Sequence, residues 1–176
     1  MLLNRADYPM HTTHWSANRD DDGEPLERQD AIRAHRLFVA RIASDFRVAV
    51  GDRASVDVEE HDDGATLAVV PRDNQALSVW LVSARWIDIQ IGESNCRFQL
   101  DNTVDGHSLA RAFLDAVRAG RAHEIRAPGR VAVSVELEDG SRHQTWAPSA
   151  SGWWWLCLIP HPGWRRWGSR RNFLPF

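Results

Sequence analysis

"RWIDIQIG", residues 85 to 92, alternates strictly: Ile87, Ile89 and Ile91 fall on one side of an extended chain, Asp88 and Gln90 on the other, with Trp86 beside them. Successive side chains of a strand point to opposite faces, so this pattern predicts a strand with one face in a core and one toward water. The same period of two recurs nearby. "ASVDVEE" sets Val56 and Val58 on one face, and "ATLAVVP", "ALSVWLVSA" and "CRFQLD" read as further strands. The breaks between these runs, "HDDG", "PRDNQ" and "GESN", are short and made of turn residues. Parallel neighbours need crossovers of about a dozen residues or more, so the spacing predicts an antiparallel meander.

Helical spacing flanks the meander. Residues 25 to 45 carry Leu26, Ile32, Leu37, Phe38, Val39 and Ile42, with Phe46 just beyond. Pro25 suits a first helical position, where its missing N–H costs nothing. A second helix is expected over residues 105 to 119, with Asp105 as N-cap and Leu109, Phe113, Leu114 and Val117 as its apolar stripe. Gly120 stands where a left-handed residue would end it. "GRVAVSVELEDGSRHQTWA" then reads as a hairpin, with Val131, Val133, Val135 and Leu137 on one face and a tight turn at Asp139-Gly140. Elements in blocks argue for an α+β fold, a mostly antiparallel sheet of meander plus C-terminal hairpin packed against two helices. The expected organisation is a flexible lead over 1 to 24, one α+β domain over 25 to 160, and a Trp/Arg-rich segment over 161 to 176.

The 176 residues suit a single domain and a core without staples. All 21 cationic residues are arginine, yet the net charge is only −3, which argues against nucleic acid as a partner. Two cysteines, Cys96 and Cys157, make neither a disulfide framework nor a zinc set, so reduced thiols and a cytoplasmic setting are expected. The start holds no apolar run of signal-peptide length, and no run is long enough to span a bilayer.

No reactive constellation stands out. His11 and His14 have metal-ligand spacing but fall in the loose lead, and no metal or cofactor is expected. Glu59, Glu60, Asp62 and Asp63 crowd His61 in what reads as a polar turn; a scattered enzyme site there is one alternative. His107 and Ser108 are adjacent on a helix and cannot face each other. His35 and His123 read as structural or solvated, and His143 as a surface residue. Cys96 and Cys157 have apolar neighbours that blunt a thiol.

What does stand out is the end, "SGWWWLCLIPHPGWRRWGSRRNFLPF", residues 151 to 176, with five of the nine tryptophans and four arginines. Trp164, Arg165, Arg166, Trp167, Arg170 and Arg171 form its densest part. Aromatic and arginine side chains dominate protein-binding hot spots, which makes these six the expected partner-binding residues. The same residues could lie in a membrane interface, stack on single-stranded nucleic acid, or wrap over their own domain with arginine on tryptophan.

"LARAFLDAVRAGRAHE" followed by "RVAVSVELEDGS" resembles a helix-then-hairpin pattern in small bacterial proteins from GC-rich genomes, several of which look like cytosolic immunity proteins. The resemblance covers residues 104 to 146, about a quarter of the chain, and carries over no functional residue. It implies a non-catalytic protein-binding module whose partner is a toxin. The alternatives are a peripheral membrane or single-stranded nucleic-acid module, and a small enzyme.

Overall fold

The computed structural model describes residues 25–92, 95–149, 158 and 163–175; the side chains of 25–27 and 167 are not described. The expected lead over 1 to 24, His11, His14, the tryptophan triplet 153–155, Cys157 and His161 lie outside the described residues.

Helix α1 spans Pro25–Val50, past its expected end near residue 45. The reason is legible in its buried stripe: Val39, Ile42, Ala43, Phe46 and Val50 keep a helical spacing to the last residue. Leu37, expected in the stripe, is instead exposed. A 3-10 turn, Gly51–Arg53, follows. Arg53 donates from Nε to the Val50 carbonyl (3.2 Å) and from Nη2 to the Ala49 carbonyl (2.8 Å), satisfying two acceptors that the helix end leaves open.

Five strands come next: β1 Ala54–His61, β2 Gly64–Pro71, β3 Val79–Ser83, β4 Trp86–Ile91 and β5 Arg97–Asp101. They form an antiparallel meander in sequence order, β1-β2-β3-β4-β5. Their register aligns Val58, Leu67, Leu81, Ile89 and Phe98 in one inward row. Ile87, Ile89 and Ile91 are fully buried, so the alternation of residues 85 to 92 marks the inner face. Helix α1 packs against β1, β2 and β3.

Helix α2 spans Val104–Arg118. Its N-cap is Thr103, whose hydroxyl oxygen accepts from the Gly106 amide (3.2 Å), and not Asp105. Asp105 stands in the first turn, where a negative charge still suits the helix dipole. A Cβ on Gly106 would lie 1.9 Å from the Asp101 carbonyl oxygen, so only glycine lets this turn close so tightly on the end of β5. Ala110, Phe113, Leu114, Ala116 and Val117 are buried. Gly120 takes φ +71 past the helix end, as its position predicts.

The second sheet contains β6 Ala122–Ala127, β7 Arg130–Glu136, β8 Arg142–Pro148 and, after the short helix α3 Trp164–Trp167, β9 Ser169–Asn172. All neighbours are antiparallel, in the order β8-β7-β6-β9. Val131, Val133, Val135 and Leu137 are buried as the hairpin pattern predicts. Ala132 and Ser134 are buried too, because β7 is central and covered on both faces. Helix α3 lies against β6. One cluster of buried apolar side chains runs from Val39 on α1 through α2 and both sheets to Phe173. The fold is α+β with two antiparallel sheets. Among the described residues no helix is long and apolar enough to cross a membrane.

Candidate functional site

Strand β9 places the arginines of the C-terminal segment at a sheet edge. It pairs only with β6 among the described strands, setting Arg170 opposite Ile125 and Arg171 opposite Glu124. Since neighbours on a strand diverge, the two guanidinium groups leave on opposite faces. All four side chains of β9 are exposed, as are Arg165 and Arg166 on α3. Trp164 differs. It is half-buried, and the guanidinium carbons of Arg130 and Arg165 each lie 5.5 Å from its ring centroid. Arg171 donates from Nη2 to the Asn74 carbonyl (2.9 Å) and lies 5.0 Å from the ring of buried Phe173. Of the six residues expected to bind a partner, the four arginines are exposed, with Arg165 lying over Trp164 and Arg171 bonded to Asn74, and Trp164 is engaged within the domain. Trp167 is the last residue of α3, and its side chain is not described. Arginine charge acts locally as well. Burial lowers the pKa of His123, and Arg170 and Arg142 lower it further, against Glu136.

A second cluster joins three distant parts of the chain. Helix α1 supplies His35, the turn after β5 supplies Asn102, and α2 supplies His107. Asn102 Nδ2 donates to His35 Nδ1 (2.8 Å) and to the Ala84 carbonyl (2.5 Å), with the Ser83 hydroxyl at 3.3 Å. The Ala84 carbonyl can only accept, which fixes the amide orientation. Asn102 Oδ1 therefore faces His107 Nε2 (2.5 Å) and accepts from it. The His107 ring stacks on Phe38, with centroids 3.9 Å apart and planes 11° from parallel. His35 Nδ1 can accept only if it carries no proton, so this geometry selects neutral imidazole. Burial lowers both histidine pKa values. Asp63 opposes the shift at His35, and a proton on His35 would lower His107 further.

This arrangement ties α1 to α2 and to the β3–β4 turn. Ser108 Oγ donates back to the Val104 carbonyl (3.0 Å) and leaves His107 without a serine partner on its own helix, while the hydroxyl in the cluster is that of buried Ser83. Residue types and spacing do not reveal the cluster, because Asn102 lies 67 residues from His35. A sequence signal does exist in the turn "DNT" before the second helix, since asparagine commonly bonds nearby polar groups.

The other candidates resolve into structure. His61 Nε2 meets Thr66 Oγ1 (2.9 Å) across the β1–β2 hairpin, and the Arg36 guanidinium binds the His61 carbonyl and pairs with Glu60 (3.3 Å). Among the described residues no three of His, Cys, Asp and Glu are placed to hold a metal ion. His143, expected at the surface, is half-buried, with its ring 5.1 Å from that of Phe113. Cys96 is buried. A groove of about 150 Å³ between α1 and α2 is lined by Ile42, Phe46 and the Asp45–Arg111 ion pair. Compared with protein-family models, curated proteins and solved structures, the chain matches none.

Proposed function

We propose that this chain is a non-catalytic protein-binding module that presents the arginine edge of β9 and α3 to an acidic partner. The observation that carries this reading is the exposure of Arg165, Arg166, Arg170 and Arg171 on the strand that is outermost among those described and on the short helix beside it. An edge strand offers unpaired backbone groups together with its side chains, the arrangement used in strand addition. Guanidinium groups add bidentate recognition of carboxylates. The resemblance of residues 104 to 146 to immunity proteins supports a toxin as that partner and the cytoplasm as its place of action.

The competing reading, single-stranded nucleic acid or an anionic membrane, needs free aromatic faces beside the arginines. Among the described side chains of this segment, the ring of Trp164 lies under the guanidinium groups of Arg130 and Arg165, which leaves it less open to a base or a lipid headgroup and favours the protein partner.

The test is capture from the native host by the wild-type chain and by a variant with Arg165, Arg166, Arg170 and Arg171 changed to Glu. The expected result is one acidic protein, identified and recovered in stoichiometric amount by the wild type and lost by the folded variant. Recovery as a lone monomer at micromolar concentration would overturn the proposal. So would equal capture by both chains, or salt-sensitive binding to single-stranded DNA or anionic vesicles alone.

A further inference from the structure

The outer face of the five-stranded sheet is a second exposed surface, and its chemistry is opposite to that of the arginine edge. Helices α1 and α2 both pack on the inner face of this sheet. On the outer face Val82 lies opposite Asp88, and Trp86 lies two residues along β4 from Asp88. Trp80 stands in the next row, opposite Gln90. Val82 and Trp86, 38% and 43% exposed, flank Asp88 on this face, and Val70, 42% exposed, lies further along β2. The charges around them are unbalanced: Asp57, Glu59, Asp88 and Asp101 face outward, against Arg97 and the Arg85 beside Trp86. Burial raises the Asp88 pKa, with Arg97 acting against it, so this carboxyl sits partly desolvated among apolar neighbours. The ring of Trp86 already receives a guanidinium, that of exposed Arg85, 5.7 Å from its centroid.

We propose that this face docks a protein partner through a cationic anchor. The ammonium or guanidinium of a Lys or Arg side chain binds the Asp88 carboxylate, and its aliphatic stem lies on Val82 and Trp86. Two features select that occupant. The excess of carboxylates attracts positive charge and repels phosphate backbones and anionic lipid. An aromatic face beside a partly desolvated carboxylate holds a cation by both its ring and its charge. The surface and partner charge differ from those of β9, so the proposal does not depend on the arginine edge. Binding strengthens as pH rises through the Asp88 pKa, because the cation favours the ionised carboxyl.

Backbone amide NMR of the full chain, titrated with a blocked tetra-arginine peptide at low salt, tests this. Shifts are expected at Val82, Asp88, Gln90 and the Trp86 indole N–H, with none from a tetra-glutamate peptide. Asp88→Asn should weaken the interaction by about threefold to fivefold, the range of a partly exposed ion pair, while Asp88→Glu retains it. Glu59→Gln, off the proposed anchor, should weaken it less. Shifts confined to other surfaces, an unchanged response in Asp88→Asn, or a single-stranded oligonucleotide moving the same amides would overturn the proposal.

Discussion

Asn102 Nδ2 stands 2.8 Å from His35 Nδ1, and the Ala84 carbonyl holds the amide so that this nitrogen can only donate. Protonating His35 turns its acceptor into a donor facing a donor. His107 and His123 share its setting, since burial lowers their pKa values as well. The unfolded chain titrates these histidines near 6.5. Below that value it binds protons that the folded chain refuses, so folding stability falls as pH drops. The histidine contribution is complete above the unfolded value and is lost on the way down through the folded ones. Urea unfolding at about pH 7.5 and about pH 5.5 should show a lower midpoint in acid. Asn102→Asp should reverse the part of this contribution that comes from His35 and His107, leaving that of His123 in place. A carboxylate favours the protonated form of both His35 and His107, at the cost of the bond to the Ala84 carbonyl, about 1–3 kcal/mol at neutral pH. An acid response as steep in Asn102→Asp as in the wild type would refute this role for the Asn102 bridge between His35 and His107.

Helix α1 separates periodicity from packing. Leu37 and Val48 are 61% and 86% exposed, whereas Phe46 on the same helix is 4% exposed. Phe46→Ala should cost about 3–5 kcal/mol, and Leu37→Ala should stay within about 0.5 kcal/mol. Chemical denaturation of the two variants measures both. Comparable losses would mean that Leu37 packs against something in solution.

These differences show where sequence reasoning reaches and where it stops. The alternation Ile87–Ile89–Ile91 identifies the inner face because a half-buried strand forces a period of two. The full burial of Ala132 and Ser134 is not legible in the same way: β7 is covered on both faces, and small residues at alternate positions read as a solvated side. The position of β9 is also hidden, since "SRRN" has no apolar alternation and is a strand only because β6 offers an edge. For the candidate site, the arginines announce themselves by composition. The Asn102 bridge depends on a contact across 67 residues, which no local pattern encodes.

The start of α2 gives a third prediction. Thr103 and Asp105 are both plausible caps by residue type, but the Thr103 hydroxyl takes the Gly106 amide and Asp105 contributes only charge. Thr103→Ala should destabilise by about 1 kcal/mol, within the range for lost caps. Asp105→Ala should lose a few tenths, screened by salt, as expected of a dipole effect. Thermal unfolding at low and high ionic strength distinguishes them, because the Thr103 loss should be independent of salt.

Glu124 gives the last. Its side chain is 2% exposed and lies on β6 opposite Val133 and Arg171. Oε2 receives Arg126 Nε at 2.9 Å, while Oε1 has no hydrogen-bond partner among the described residues. A buried carboxylate with one unbonded oxygen depends heavily on the cation that holds the other. Arg126 is 54% exposed, so water reaches one side of the pair and moderates the cost of breaking it. Arg126→Ala should therefore destabilise by about 1–3 kcal/mol, the range for an orphaned buried polar group. Glu124→Gln removes the charge that needs compensation, so the double variant Glu124→Gln/Arg126→Ala should be more stable than Arg126→Ala alone. A double-mutant cycle by urea unfolding measures that coupling. Additive losses would show that water, and not Arg126, satisfies Glu124 in the folded protein.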